Sequence, residues 1–253
     1  MYKLITILAL VLLFTASASS QATVLMDETF DTGTQYADLD TLPGWVNNNG
    51  SGINHILITD SIVDDGLGIY KHDGGGQFTD YSYTIANATL GAGEFYRFEY
   101  FVSVIDGPTN QSAAAQVLLE HSDGRSFRWF FDTAETLNAD IYDGGNRINR
   151  ISQTPMFDAA QTDLRLRLDL DATGVTASRD TGDGMLAMGQ ALATTDSRFS
   201  VTGGISNVRV KLFNYTSQDR PEADTFSLRV VPEPATLTLL TLGGLAALLR
   251  RKR

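Results

Sequence analysis

The stretch YRFEYFVSV, residues 96–104, decides the fold class because apolar and polar side chains alternate along it. Every even position is apolar, whereas Arg97, Glu99 and Ser103 share the odd face. A period of two residues is typical of an antiparallel strand with one face on a core and the other in water. The same alternation recurs in residues 126–132 (SFRWFFD), 164–170 (LRLRLDL), 207–213 (NVRVKLF) and 226–230 (FSLRV).

Tight turns separate these stretches. The pair Asp-Gly occurs six times, and both residues tolerate the positive φ that short hairpins require. The pattern predicts roughly twelve strands in an all-β antiparallel β-sandwich over residues 23–230. The segment from Met185 to Ala193 is compatible with a strand or with a short helical turn.

The N-terminal segment has the pattern of an export signal. Within residues 1–22, the cation Lys3 precedes an apolar run from Leu4 to Phe14, and small residues follow that run. This order is that of a secretory signal peptide, with cleavage expected after Ala18 or after Ala22. We therefore expect an N-terminal signal helix and an exported protein.

Composition excludes several classes of site. The chain has no cysteine, so disulfides, zinc–thiolate sites, iron–sulfur clusters and cysteine nucleophiles are ruled out. Its formal net charge is −11. Outside the end segments 14 cations stand against 29 carboxylates, a net charge of about −15. Such a domain repels nucleic acid, which we do not expect as a partner.

The C-terminus has three parts in sequence. Pro232, Glu233 and Pro234 are followed by fifteen apolar or small residues, 235–249. The basic tail consists of Arg250, Arg251, Lys252 and Arg253. As a helix the apolar segment measures about 22 Å, short of a hydrocarbon layer about 30 Å thick, but snorkelling cations extend its reach. We predict a transmembrane helix over about 235–249 with a cytoplasmic C-terminus, and a break in regular structure at the two prolines.

The order of motif, short helix and basic tail over residues 231–253 resembles the PEP-CTERM sorting signal of Gram-negative bacteria. The resemblance implies that an exosortase-type enzyme recognises Pro232, Glu233 and Pro234. It also implies an inner-membrane precursor that is then sorted to the cell surface or extracellular matrix, in association with exopolysaccharide or biofilm. An ordinary stop-transfer anchor would share this topology and would differ only in remaining uncut.

Three stretches of the middle domain resemble jelly-roll modules of the concanavalin and laminin G type: Asp27–Asp31 with the turn Leu42–Trp45, Leu164–Asp183, and Ala223–Val230. In such modules a structural Ca²⁺ often joins the first strand to the last. The resemblance makes Asp27, Glu28 and Asp224 the candidate ligands, although carboxylates at strand ends are also ordinary solvated caps.

A second acidic stretch, Asp169–Gly174 with Asp180, matches part of a calcium loop. The alternation that precedes it favours a hairpin turn at residues 172–174 instead.

Carbohydrate binding would require exposed aromatic rings. Trp45 and Trp129 are candidates, but Trp129 lies between Phe127 and Phe131 on one strand face, an arrangement more typical of a core. Better exposed candidates are Phe130, Tyr142, Tyr81 and Tyr83. The loop Asn47-Asn48-Asn49-Gly50 could contact a ligand or serve only as a turn.

Catalytic motifs are lacking. The sequence contains no G-x-S-x-G elbow and no E-x-D-x-x-E strand, and His55, His72 and His121 are scattered. We expect a non-catalytic protein that binds polysaccharide or has a structural role. The alternative is a glycan-active enzyme, a hydrolase or lyase, on the same sandwich; the ligand is left open.

Overall fold

A computed structural model describes residues 22–49, 55–60, 66–71, 78–105, 114–132, 137–153, 163–171, 175–180, 185–187, 204–213 and 220–233. The predicted signal peptide up to residue 21, Pro234, the predicted transmembrane helix and the basic tail lie outside these residues. Within the described ranges, no helix is long and apolar enough to cross a membrane.

The described residues form fifteen strands and one 3₁₀ turn, Leu39–Thr41. The strands are β1 (Thr23–Glu28), β2 (Trp45–Asn47), β3 (Ile56–Asp60), β4 (Leu67–Lys71), β5 (Phe78–Ala88), β6 (Glu94–Ile105), β7 (Ala114–His121), β8 (Arg125–Asp132), β9 (Leu137–Asp143), β10 (Asn146–Gln153), β11 (Asp163–Leu170), β12 (Val175–Asp180), β13 (Met185–Ala187), β14 (Ile205–Phe213) and β15 (Arg220–Pro232). The predicted all-β class is confirmed. The predicted count of about twelve was too low because three-residue strands such as β2 and β13 are too short to show a period.

The strands form two antiparallel sheets, as a jelly-roll sandwich requires. The first sheet has the order β13-β12-β11-β6-β15-β4-β3, and β1 also pairs with β15. The second sheet has the order β10-β9-β8-β7-β14-β5-β2. The first strand of the chain therefore lies beside the last, as the resemblance to jelly rolls implied.

The predicted alternation places the core. The even positions of β6, from Tyr96 to Val102, are at most 2% exposed. Leu166, Leu168 and Leu170 of β11 are buried beside them, and the second sheet contributes alternate residues of β7 and β14. Arg97 and Glu99 lie on the opposite face of β6, where Arg97 pairs with Asp169 and Glu99 pairs with Arg165.

Phe226 of β15 lies at the centre of a cluster of aromatic rings. Its ring centroid is 5.6 Å from that of Phe30 at an edge-to-face angle of 84°. Trp45, Phe98 and Tyr100 lie 6.1, 6.1 and 5.8 Å from it. Trp45 is only 4% exposed, so its ring belongs to the core and is not a binding platform.

Two of the predicted Asp-Gly turns fall in described hairpins. Gly124 lies in the turn from β7 to β8 with φ of +88°, and its N–H donates to the His121 carbonyl at 3.1 Å. Gly144 and Gly145, at φ of +53° and +86°, connect β9 to β10 as a type I′ turn requires. The other four Asp-Gly pairs lie partly or wholly outside the described residues.

Regular structure ends at Pro232, as predicted, but Pro232 itself still belongs to β15 and pairs with Glu94. The N–H of Glu233 donates to the Gly93 carbonyl at 2.6 Å. Successive N–H groups of a strand point to opposite sides, so the nitrogen of Pro232 points away from β6. It also lies beyond the start of β1, whose Thr23 pairs with Val230, and its missing N–H costs no ladder bond.

The first prediction concerns the aromatic cluster. Replacing Phe226 by Ala should lower the free energy of unfolding by about 3–5 kcal/mol, because it removes a fully buried ring and leaves a cavity between four neighbours. Urea unfolding measures the change. Val46→Ala, at a side chain that is 53% exposed in the neighbouring β2, is the control and should change stability by less than about 0.5 kcal/mol. Equal effects of the two variants would contradict this account of the core.

Candidate functional site: a polar groove on the second sheet

The outer face of the second sheet carries the candidate site. In β14, Val208, Val210 and Leu212 point into the core, so Arg209 and Lys211 lie on the opposite face. The same alternation brings charged side chains of β5, β7, β8 and β9 to that face. They are Asp80, Glu120, Arg128 and Asp140. Arg209, Lys211, Glu120 and Arg128 line a groove with a volume of about 480 Å³, and Asp80 and Asp140 pair with the two arginines that line it.

Arg209 joins two carboxylates at the middle of the groove. Its Nε donates to Asp80 Oδ1 at 2.7 Å, and its Nη1 donates to Glu120 Oε1 at 2.9 Å. Lys211 Nζ lies 3.1 Å from Asp80 Oδ2. Register explains the arrangement, because Arg209 lies opposite Ser82 on one side and Leu118 on the other, diagonal to both acids.

The pKa of Asp80 reflects two opposing effects. Burial of the carboxylate raises the pKa, whereas the hydrogen bond from Arg209 and the charge of Lys211 lower it. The net shift is downward, and the pKa of Arg209 is correspondingly raised, chiefly by its hydrogen bond to Asp80. Both groups are therefore held in their charged forms.

A second ion pair lies towards the edge of the sheet. Arg128 and Asp140 are directly opposite in register, and Arg128 Nε donates to Asp140 Oδ2 at 3.2 Å. Asp140 is fully buried. The guanidinium carbon of Arg128 lies 4.8 Å from the ring centroid of Tyr142, which supplies an aromatic side chain to the groove.

One end of the groove lies at the turn between β7 and β8. There Arg125 Nε donates to Asp123 Oδ2 at 2.8 Å, and this hydrogen bond lowers the pKa of Asp123. His121 is buried, and burial lowers its pKa, so the imidazole is neutral near pH 7. Its Nδ1 has no hydrogen-bond partner among the described residues.

The Asn loop predicted as a ligand contact lies beside Asp80, and Asn47, Asn48 and Asn49 do not line the groove. Asn48 Nδ2 donates to Asp80 Oδ1 at 3.2 Å, and Asn49 Nδ2 donates to the Asp80 carbonyl at 3.1 Å. Asn47 accepts the Asn49 N–H at 2.9 Å, as in an ordinary turn. The loop thus orients Asp80, while Gly50 lies outside the described residues.

The predicted exposed aromatic residues have different positions. Tyr142 lines the groove. The prediction for Tyr81 is wrong, because it is fully buried and its hydroxyl donates to Asp38, which also contacts His55. Tyr83 packs against Trp45 on the core side, with ring centroids 5.5 Å apart. The side chains of Phe130 and Trp129, and His72, lie outside what is described.

The three candidate calcium ligands have other partners. Asp27 lies opposite Ser227 and is 3.6 Å from Arg229. The two carboxylate oxygens of Glu28 accept from the Phe30 N–H at 2.9 Å and from Trp45 Nε1 at 3.4 Å.

Asp224 lies beyond an irregularity in the register, where its Oδ1 accepts the Thr225 N–H at 2.6 Å. In the described part of the chain, no three acidic or histidine side chains come close enough to hold a metal ion. These residues therefore do not fit a calcium site as arranged, and calcium binding stays a prediction from resemblance.

The second acidic stretch is a hairpin in its described part. Asp169 is in β11 and accepts from Arg97 Nε at 2.8 Å. Leu170 pairs with Val175 across the turn, and Asp180 pairs in register with Arg165, four positions away from Asp169. Asp169 and Asp180 therefore lie at different positions along the ladder, as expected for a hairpin.

The groove was not predicted from the sequence. The only signal was that charged residues fill the polar faces of several strands, as in Arg128, Arg209 and Lys211. Which of these faces adjoin depends on the strand order, and that order follows from pairing between segments distant in the chain.

Comparison with known proteins identifies the C-terminus. Residues 230–253 match the PEP-CTERM protein-sorting motif. This chain carries a PEP-CTERM sorting motif. The motif implies an exported protein whose precursor is anchored in a membrane and processed by an exosortase-type system. The sequence matches no curated protein.

Solved structures share the fold at low sequence identity. The endo-1,3-β-glucanase of Streptomyces sioyaensis has a TM-score of 0.57 at 11% identity, covering 86% of this chain and 99% of that chain. The CBM2 module of the evolved Dit of Lactobacillus casei BL23 phage J-1 gives 0.54 at 12%, covering 83% and 96%. Lectin II from Ulex europaeus gives 0.51 at 8%, covering 83% and 100%. They establish the jelly-roll architecture of the PEP-CTERM chain.

The second prediction tests the central ion pairs. Arg209→Met should destabilise the protein by about 2 kcal/mol at pH 7, because Asp80 and Glu120 lose a shared partner in a partly buried site. The pKa of Asp80 is lowered in the native state, so its stabilisation is present above its ordinary pKa of 3.8 and is lost as the pH falls through the native value. The difference between variant and wild type should therefore shrink from pH 5 to pH 3 in urea unfolding.

Arg165→Met on the first sheet is the matched control, because it removes a more exposed pair with Glu99. We expect it to cost less than about 1 kcal/mol. A constant difference between Arg209→Met and wild type down to pH 3 would contradict the role assigned to Asp80.

Proposed function

We propose that this exported protein is a non-catalytic polysaccharide-binding protein of the cell surface or extracellular matrix, and that the groove on the second sheet is its binding site. The observation that carries the proposal is the set of ion pairs that holds planar polar groups in fixed orientations along an open groove. Arg209 with Asp80 and Glu120, and Arg128 with Asp140, are its central members.

The lining matches the chemistry of a sugar. Sugar hydroxyl groups both donate and accept hydrogen bonds, and the groove offers Gln116 and Asn207 amides beside charged donors and acceptors. Tyr142 adds an aromatic surface for the apolar face of a ring. The volume falls within the range of about 300–1,000 Å³ typical of ligand sites.

The charge balance of the groove favours an uncharged glycan. Arg125, Arg128, Arg209 and Lys211 are its four cations, and each lies against a carboxylate. The groove therefore has little net charge to attract a polyanion, and the domain around it is acidic. Binding should depend on hydrogen bonds and stacking and should be insensitive to salt.

The same ion pairs argue against hydrolysis. A glycosidase needs a protonated carboxyl with a raised pKa facing a second carboxylate about 5–10 Å away. The pKa of Asp80 is lowered, and Asp80 shares Arg209 with Glu120. Asp140 is fully buried against Arg128. Asp80 is therefore held in its ionised form, and all three carboxylates orient the arginine donors.

Three fold neighbours support the proposal in a general way. They are an endo-1,3-β-glucanase, a CBM2 module and a lectin. Sequence identities of 8–12% indicate a shared fold only, so the ligand class proposed for this chain is argued from the residues of the groove.

The third prediction tests the groove with two soluble probes, neutral 1,3-β-glucan and the polyuronate alginate. Calorimetry should detect binding of the neutral glucan and little change between 50 and 500 mM NaCl. Tyr142→Ala should weaken binding about tenfold, as expected for a central aromatic contact. Tyr36→Ala is the control. The Tyr36 side chain is 64% exposed in the loop between β1 and β2 and does not line the groove, so this variant should bind as wild type does.

Three outcomes would count against the proposal. Salt-sensitive binding of alginate alone would overturn the assignment to uncharged glycans. Loss of affinity in EDTA would show that a metal, and not the described polar groups, holds the ligand. Release of reducing ends from the bound glucan would replace the proposal with the alternative of a glycan-active enzyme.

A further inference from the structure

The last strand of the sandwich runs directly into the sorting motif. β15 pairs with β6 from Arg220 to Pro232, without a linker between the folded sheet and the motif. Pro232 lies opposite Glu94, and the N–H of Glu233 donates to the Gly93 carbonyl at 2.6 Å. Two of the three motif residues are therefore part of the domain's hydrogen-bonded structure.

The partner of the motif is itself a defined turn. Gly93 has a φ of +72°, and Glu94 Oε2 accepts the N–H of Gly91 at 2.7 Å. The turn thereby fixes the carbonyl of Gly93 that accepts from Glu233. A Cβ added to Gly93 would meet nothing nearer than Glu233 Oε2 at 4.0 Å, so the positive φ and not crowding is what requires glycine there.

The segment between the folded domain and the predicted membrane segment is short. Only Pro234 separates Glu233 from Ala235, where the predicted membrane segment begins. Two extended residue steps span at most about 7 Å. Were a membrane segment to begin at Ala235 as predicted, a domain whose edge holds Glu233 would lie directly at the membrane surface, with no free peptide available to a neighbouring enzyme.

An enzyme that reads an extended peptide engages its backbone N–H and C=O groups and its side chains. The N–H of Glu233 is already used by Gly93, and Pro232 is flanked by β6. We infer that the folded domain holds Pro232 and Glu233 in its sheet, and that the exosortase-type enzyme receives the motif only after this strand end detaches. The rate of processing is then proportional to the detached fraction. This inference rests on the sorting motif and is independent of the proposed glycan binding.

The fourth prediction uses the full-length chain in a Gram-negative host with a working exosortase. Pulse labelling followed by electrophoresis measures the rate at which precursor becomes processed protein. Gly93→Val strains the turn, because a β-branched residue rarely adopts this φ, and should raise the rate about fivefold, the effect expected from losing one backbone hydrogen bond. A Gly-Ser-Gly-Ser insertion between Val231 and Pro232 should raise it at least as much.

Gly124→Val is the matched control. Gly124 has a similar φ of +88° with nothing within 4 Å of an added Cβ, but it lies in the β7–β8 turn and does not touch the motif. It should leave the rate at the wild-type value. In a host without the exosortase, none of the variants should yield the product, which separates sorting from degradation by other proteases.

Two results would overturn the inference. Equal rates for Gly93→Val and Gly124→Val would show that detachment of the motif does not control processing. Either general strain would accelerate both variants, or neither variant would be accelerated. If the insertion accelerates processing and Gly93→Val does not, then the distance from the motif to the enzyme limits the rate, and the sheet does not hold the motif. Tyr142→Ala should be processed as wild type in either case, since it tests only the groove.

Discussion

The pairing of β15 with β6 is the interaction on which the rest of the structure depends. The two strands are in register at eleven positions, and β15 also pairs with β1 and β4. Phe226 extends from β15 into the aromatic cluster between the sheets. The strand that connects β6 with β4 and β1 is thus the last of the described strands along the chain, and the same strand ends in the sorting motif. Closure of the fold and presentation of the motif are therefore physically linked, because they use one set of backbone hydrogen bonds.

The outer face of the second sheet is governed by a different constraint, the cost of burying charge. Asp140 is fully buried, and an unpaired carboxylate there would be strongly destabilising. Arg128 and Arg209 offset that cost for Asp140 and Asp80, and in doing so they hold planar donors in fixed positions along the groove. This arrangement supports the glycan-binding role proposed above, and Asp80, whose pKa is lowered, is held in its ionised form.

Much of the core could be predicted because period-two alternation is a local property. The buried faces of β6, β11 and β14 follow directly from it. Tyr81 was misplaced although it shares its strand face with Ile85, and that alternation was the signal for burial. Pro232 was expected to end regular structure, and the strand does end there, but Pro232 is still paired with Glu94 because its missing N–H would not have pointed towards β6. Neither position can be judged without the neighbouring strands.

The sequence by itself determined the all-β class, the faces of the long strands and the sorting motif at the C-terminus, since each depends on the order of neighbouring residues. The tertiary structure decided which polar faces adjoin. Arg209 and Asp80, 129 residues apart, meet only because β14 pairs with β5. It also decided that Pro232 and Glu233 belong to the sheet, because the β5–β6 turn places the Gly93 carbonyl beside them. Contacts of this kind depend on register between distant strands, which no local pattern specifies.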